Sequence, residues 1–334
     1  MTVLKTRCVL PLAALLLLMS VVPIGAEVVK SISDCDQFFL QATPPQVPGI
    51  LVDGIILNQT QYKLICQTFM NERRFVTLYD TASKIPVFSA NKYRGGNGNR
   101  PDTPWKTEPQ VFFLIIRNMT KYLESYVLAT TNLENGNDDK NMRDDTNMTY
   151  IYQAGDYDYK DNQTFDRGHL FPSSYAFSEN DKDSTFTLTN AVPQAATFNQ
   201  GSWRRMENCI KCVMDKYCFN NSGVTEGFVV TGAQPSIRDT LSNRVNIPSM
   251  LWSAFCCYSQ NVSKWLASAY WGDNVADQSQ SENLQTKTLA ELNTKLSSVG
   301  SGFETSWSKP AGWTHNHDYH SHSTSNKHDP NYCS

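Results

Sequence analysis

The chain has 334 residues, of which 40% are hydrophobic and 18% charged, with a formal net charge of −3. This length suits one large domain or two small ones. The mild acidity excludes a protein that coats nucleic acid through bulk positive charge, but not an enzyme whose basic groups are gathered locally.

Residues 1–26 read as a secretory leader. Lys5 and Arg7 precede an apolar run that ends in small residues, with cleavage expected after Ala26. The run is short for a bilayer span and no later segment is longer, so no membrane anchor is expected after cleavage. An extracellular or lumenal setting follows. Eight cysteines remain beyond Cys8: Cys35, Cys66, Cys209, Cys212, Cys218, Cys256, Cys257 and Cys333. An even number in an oxidising compartment allows up to four disulfides. Cys256 and Cys257 are adjacent on an expected strand, so they point to opposite faces and need different partners. Cys209 and Cys212 form a CxxC pair inside a helical pattern, where structural bridges are expected rather than a redox site. Asn58, Asn118, Asn147, Asn162, Asn220 and Asn261 head N-x-S/T triplets, so N-glycans are expected.

In chain order, residues 73–93 read as a hairpin, two β-rich runs joined by the polar turn Thr81-Ala82-Ser83-Lys84. Residues 111–117 form a short apolar run, a buried strand or helix turn. Residues 132–150 are polar and turn-rich, a surface loop. Over 202–218, Trp203, Met206, Ile210, Val213, Met214 and Tyr217 recur at spacings of three and four, which predicts an amphipathic helix. Strands are expected over 227–233, 250–259 and 264–272, and a second helix over 282–296. The mixture predicts an α+β fold around a central antiparallel sheet with flanking helices, as one domain over 27–314. Residues 315–334 form a polar, His-rich tail, read as a solvated low-complexity end.

That tail holds five of the six histidines; the sixth is His169, in Asp166-Arg167-Gly168-His169. Downstream stand Asn190, then Asn199, then Arg204, Arg205 and Glu207 on the predicted helix. Histidine is the commonest general base near neutral pH. Arginine presents a permanently charged fork suited to phosphate oxygens. Asparagine and glutamate supply oxygen, the ligand type of Mg²⁺, which keeps most of its waters. A base, a phosphate clamp and a hard cation make a kit for metal-assisted phosphodiester hydrolysis.

"DRGHLFP" (166–172), "TNAVPQ" (189–194), "FNQGSW" (198–203) and Glu207 stand at spacings that resemble the DNA/RNA non-specific endonucleases with a ββα-metal finger, including their secreted endonuclease domain-containing 1-like branch. The resemblance covers most of 60–275. It implies a ββα-metal (His-Me finger) catalytic core and an endonuclease of little sequence preference acting on DNA, RNA or both. His169 is then the general base and Asn199 the direct ligand of Mg²⁺, with Mn²⁺ as a substitute. Glu207 orients water around the cation, Arg167 contacts phosphate, and Asp166 and Asn190 hold the geometry. Arg94, after the hairpin, is the candidate for a second phosphate clamp. The products carry 5′-phosphates. Phe171 stands where relatives often carry a polar residue, and Phe186 near a position where some carry asparagine. Two alternatives remain: a weak or inactive secreted binding protein on the nuclease fold, and a small-nucleotide phosphodiesterase.

Overall fold

Several strands of this chain are apolar at odd and even positions alike, a pattern that requires a sheet covered on both faces. A computed structural model describes residues 27–96, 98–108, 111–113, 130–132, 142–145, 149–160 and 162–298. The expected leader, the His-rich tail with Cys333, and the sequons at Asn118 and Asn147 lie outside the described residues. So does most of 111–117 and of the 132–150 loop; Val111–Phe113 is a strand.

The longer strands are β1 (Glu27–Val29), β2 (Tyr62–Phe69), β3 (Glu72–Asp80), β4 (Ile85–Tyr93), β5 (Phe165–His169), β6 (Ala191–Ala195), β7 (Gly227–Gln234), β8 (Met250–Ser259) and β9 (Lys264–Asp273). The helices that matter for the site and its support are α1 (Glu179–Thr185), α2 (Arg204–Tyr217) and α3 (Leu289–Ser298). Seven strands form one antiparallel sheet in the order β1-β2-β3-β4-β7-β8-β9. The fold is therefore α+β around an antiparallel sheet, as the patterning predicts. The hairpin forms as β3 and β4. Asp80 closes its turn by accepting from the Ala82 N–H at 2.9 Å and the Ser83 hydroxyl at 2.7 Å.

Alternate residues of each strand feed two cores. Trp252, Ala254 and Cys256 of β8 pack with Phe88, Ala90 and Val230 on one face, under Leu289, Leu292 and Leu296 of α3. Leu251, Phe255 and Cys257 pack with Val229 on the other, under Met206, Ile210 and Met214 of α2. The adjacent cysteines divide accordingly. Cys257 bonds Cys218 at the end of α2, while Cys256 stays a buried thiol in the opposite core, its pKa pushed up to about 12 by burial. Among the described residues Cys35–Cys66 is the other bridge.

The second helix starts later than its periodicity suggests, at Leu289 instead of 282. Thr288 and Glu291 form a capping box there: the Glu291 carboxylate accepts from the Thr288 N–H at 2.8 Å, and the Thr288 hydroxyl from the Glu291 N–H at 3.1 Å. Just upstream, Lys287 pairs through its backbone with Ala269 of β9 instead. Among the described residues no helix is long and apolar enough to cross a membrane.

Candidate active site

Neighbouring strands β4 and β7 are separated in sequence by residues 94–226, and part of this excursion builds the site on one face of the sheet. β5 and β6 pair from Phe165↔Ala195 to His169↔Ala191, and the chain then turns into α2, completing a ββα unit. Alternation along β5 puts Arg167 and His169 on one face. On the other, Gly168 lets Gln194 cross the strand: a Cβ at 168 would lie 2.1 Å from Gln194 Oε1 and 2.6 Å from Gln194 Cβ.

His169, Arg167, Asp166, Asn199 and Glu207 line one cleft of about 650 Å³. His169 is only 8% exposed. Its ring packs between Trp105, at 4.9 Å between centroids, and Phe186, at 4.7 Å edge-on. Among the described residues its Nε2 has no hydrogen-bond partner. Burial first, then the Arg100 charge, push the imidazole pKa down to about 3, so the ring is neutral near pH 7. Phe186 thus makes an aromatic wall for His169, and Phe171 is a core residue set edge-on against Phe75 at 5.1 Å.

Asn199 opens a π-helical turn, Asn199–Trp203, that leads into α2. Gly201 breaks it, with φ −105° and ψ −112° outside helical values. Asp277, from the segment after β9, braces the break. Its carboxylate accepts from the Ser202 N–H and hydroxyl, both at 2.7 Å, and packs where a Cβ on Gly201 would lie 2.3 Å from Oδ2. A π-turn of this kind often marks a functional position in a helix. Because regular α-helix begins only at Arg204, Glu207 falls in the first turn of α2. Asn199 Nδ2 donates to Asp166 Oδ2 at 2.8 Å, as does Gln200 Nε2 at 2.8 Å, so Asn199 keeps its amide oxygen as a donor for a cation. Glu207 is half-buried in surface terms, yet densely surrounded by protein. Burial raises its carboxyl to about 8, against the lowering effects of the Trp203 indole N–H at 2.9 Å, Arg204 and Arg100.

Arg167 lines the cleft. Arg167 is held by Asp156 at 2.5 Å, with its guanidinium over the rings of Tyr159 and Trp105. Arg94 does not line the cleft. It pairs with Asp181 at the start of α1, at 3.2 Å, and lies over Phe177. Arg100, from the same glycine-rich segment, lines the cleft, with its guanidinium 4.8 Å from the Phe186 centroid; Arg204 lines it too. Choosing between Arg94 and Arg100 needs the path of the loop, which packs so closely that a Cβ on Gly96 would meet Ser174 O at 2.3 Å. Asn190 is fully buried outside the cleft. It accepts from the Phe171 N–H at 3.0 Å and donates to Phe171 O at 3.0 Å and Thr185 O at 2.9 Å, clamping the chain that follows His169. Trp105 and Asp277 carry no motif, and sequence reasoning missed both.

The sequence model of DNA/RNA non-specific endonucleases matches residues 56–305. The chain is 27% identical over 224 residues to the endonuclease domain-containing 1 protein of Homo sapiens, covering 67% of this chain and 39% of that one. It thus spans about two fifths of that relative's length. The mitochondrial endonuclease G of Homo sapiens is 31% identical over 77 residues, 23% of this chain and 26% of that protein. A solved chain of the EndoG/EndoGI complex, described for its mechanism of EndoG inhibition, superposes with a TM-score of 0.46 at 16% identity, covering 69% of this chain and 82% of that chain.

Proposed function

Since the chain belongs to the DNA/RNA non-specific endonuclease family, we propose that it is a secreted, Mg²⁺-dependent endonuclease. It hydrolyses DNA or RNA phosphodiester bonds with little sequence preference and leaves 5′-phosphate ends. One juxtaposition carries this reading: the buried, unpartnered Nε2 of His169 shares a cleft with Arg100, Arg167 and Arg204 and with the Asn199–Asp166 pair. The two disulfides among the described residues suit an oxidising compartment.

The donor set fits a hard cation. Its groups are oxygens: the Asn199 amide oxygen, the Asp166 carboxylate beside it, and Glu207. Held through so few protein oxygens, an ion here would keep most of its water, the habit of Mg²⁺. Burial lets Glu207 hold its proton up to about pH 8 despite the Arg204 and Arg100 charges, and a nearby cation would restore the carboxylate. Asn199 would be the direct ligand, and Glu207 would orient the surrounding water. Bound there, the ion supplies positive charge for the phosphorus-centred transition state and the leaving 3′ oxygen.

The remaining work falls to the protein's own side chains. Arg100, Arg167 and Arg204 grip the scissile and flanking phosphates. Asp156 keeps Arg167 in place, and Asn190 supports the backbone beyond His169. The neutral His169 imidazole accepts the proton of the attacking water at Nε2. Phosphate binding compensates the Arg100 charge, the second cause of the low pKa, so the imidazole becomes a stronger base as substrate arrives.

The test is to incubate purified protein with plasmid DNA and with single-stranded RNA, in Mg²⁺ and in EDTA, beside His169→Ala. Mg²⁺-dependent cleavage by the wild type alone is expected. No cleavage with any divalent metal would sink the nuclease reading, and cleavage surviving in His169→Ala would remove His169 as the base.

A further inference from the structure

We infer that Trp105 is a nucleobase-stacking platform in this cleft, and that it biases the enzyme towards unpaired nucleic acid over duplex. This deepens the nuclease reading and rests on it. Among the described residues lining the cleft, Trp105 is the one aromatic side chain besides His169. The indole is half-buried and lines the cleft. Three neighbours hold the ring: His169 at 4.9 Å, Phe186 at 5.4 Å and the Arg167 guanidinium at 5.7 Å. Its backbone is anchored as well. Trp105 O accepts from the Asp145 N–H at 2.8 Å, and Lys106–Thr107 pairs with Arg143–Asp144. The ring therefore sits at the start of a paired segment, and stacking on it costs little ordering entropy.

Its position decides what it meets. A phosphate gripped by Arg167 and facing His169 puts its own nucleoside within reach of the neighbouring indole. Aromatic stacking accepts every base, because every base has a π-face, which suits an enzyme of little sequence preference. A base in duplex is already stacked on its neighbours and reaches Trp105 only after leaving them. A single strand or a frayed end has no such barrier.

The test compares wild type, Trp105→Ala and Trp105→Phe on three substrates of equal length: a single-stranded oligonucleotide, its duplex, and an abasic strand. Trp105→Ala should raise KM for the single strand by roughly 5- to 100-fold, the span measured for loss of one base stack. KM for the duplex and abasic substrates should change far less, any fall in kcat from loosening His169 should be common to all three substrates, and Phe should restore most of the loss in KM. Affinity for the same strands in EDTA, where no cleavage is expected, should follow the same pattern. Equal losses on all three substrates, falling on kcat, would show that Trp105 only holds His169 in place and would overturn the proposal. Unchanged single-strand KM and affinity would overturn it too. If wild type cleaves nothing with any divalent metal, the nuclease reading itself fails, and the EDTA affinities still decide whether Trp105 stacks on bases.

Discussion

Glu207→Gln should stabilise the metal-free protein above pH 8 while impairing catalysis. Surrounded by protein, the Glu207 carboxyl titrates at about 8 in place of 4.5. A carboxyl that holds its proton more tightly in the folded chain favours folding most below pH 4.5. That advantage declines as pH rises and is gone by about pH 8. At about 1.4 kcal/mol per pH unit the interval corresponds to at most roughly 5 kcal/mol. Glu207 keeps some surface towards the cleft, and water there reduces the expected cost to roughly 2 kcal/mol. Glutamine has the same shape, keeps an oxygen for the Trp203 indole and never ionises. Urea unfolding in EDTA should therefore give similar stabilities for wild type and variant below pH 4.5, and a variant more stable by about 2 kcal/mol above pH 8. Adding Mg²⁺ should rescue the wild type above pH 8 more than the variant, and kcat of the variant should fall by roughly 10- to 100-fold. A stability difference that does not vary with pH would refute the buried-carboxyl argument. An unchanged kcat would refute the role of Glu207 in ordering water around the ion.

His169 should produce the opposite slope. Its folded pKa of about 3 lies below the ordinary 6.5, so the stability it contributes is complete above pH 6.5 and is lost as pH falls towards 3, by at most about 5 kcal/mol. His169→Gln should flatten that acid limb in melting experiments between those two pH values, and an unchanged limb would assign it to other groups. Gly168→Ala should destabilise by about 1–3 kcal/mol, because the new Cβ overlaps Gln194 and forces β5 and β6 apart. Activity should fall with the displaced His169, and Gln194→Ala in the same chain should restore part of the stability, both read from melting curves and kcat. Asp277→Ala strips two hydrogen bonds from Ser202 and should cost about 2–3 kcal/mol. It should also raise the Mg²⁺ concentration needed for half-maximal activity, since the turn that presents Asn199 loses its brace. Unaltered Mg²⁺ dependence would leave Asp277 a purely structural residue.

Wherever the physics is local, the linear chain already carried the answer. Period-2 and period-3.6 patterning marked the hairpin of β3 and β4, the strands β7, β8 and β9, and helix α2. Alternation along one strand separated Cys256 from Cys257. The resemblance carried by His169, Asn199 and Glu207 implied one shared site, and a strand pair followed by a helix turn brings the three to one cleft. Elsewhere the outcome depended on partners far away in sequence. The start of α3 follows from Lys287 pairing with β9. The break that sets Asn199 is held by Asp277, beyond β9. Of the two loop arginines the one that enters the cleft is Arg100, because Asp181 engages Arg94 and Gly96 between them packs against residues 174–176. Trp105 became a wall of the site only when β5 brought His169 against it. Composition and periodicity encode which face of an element is buried, but not which distant side chain meets it, and that meeting is what tertiary packing alone decided.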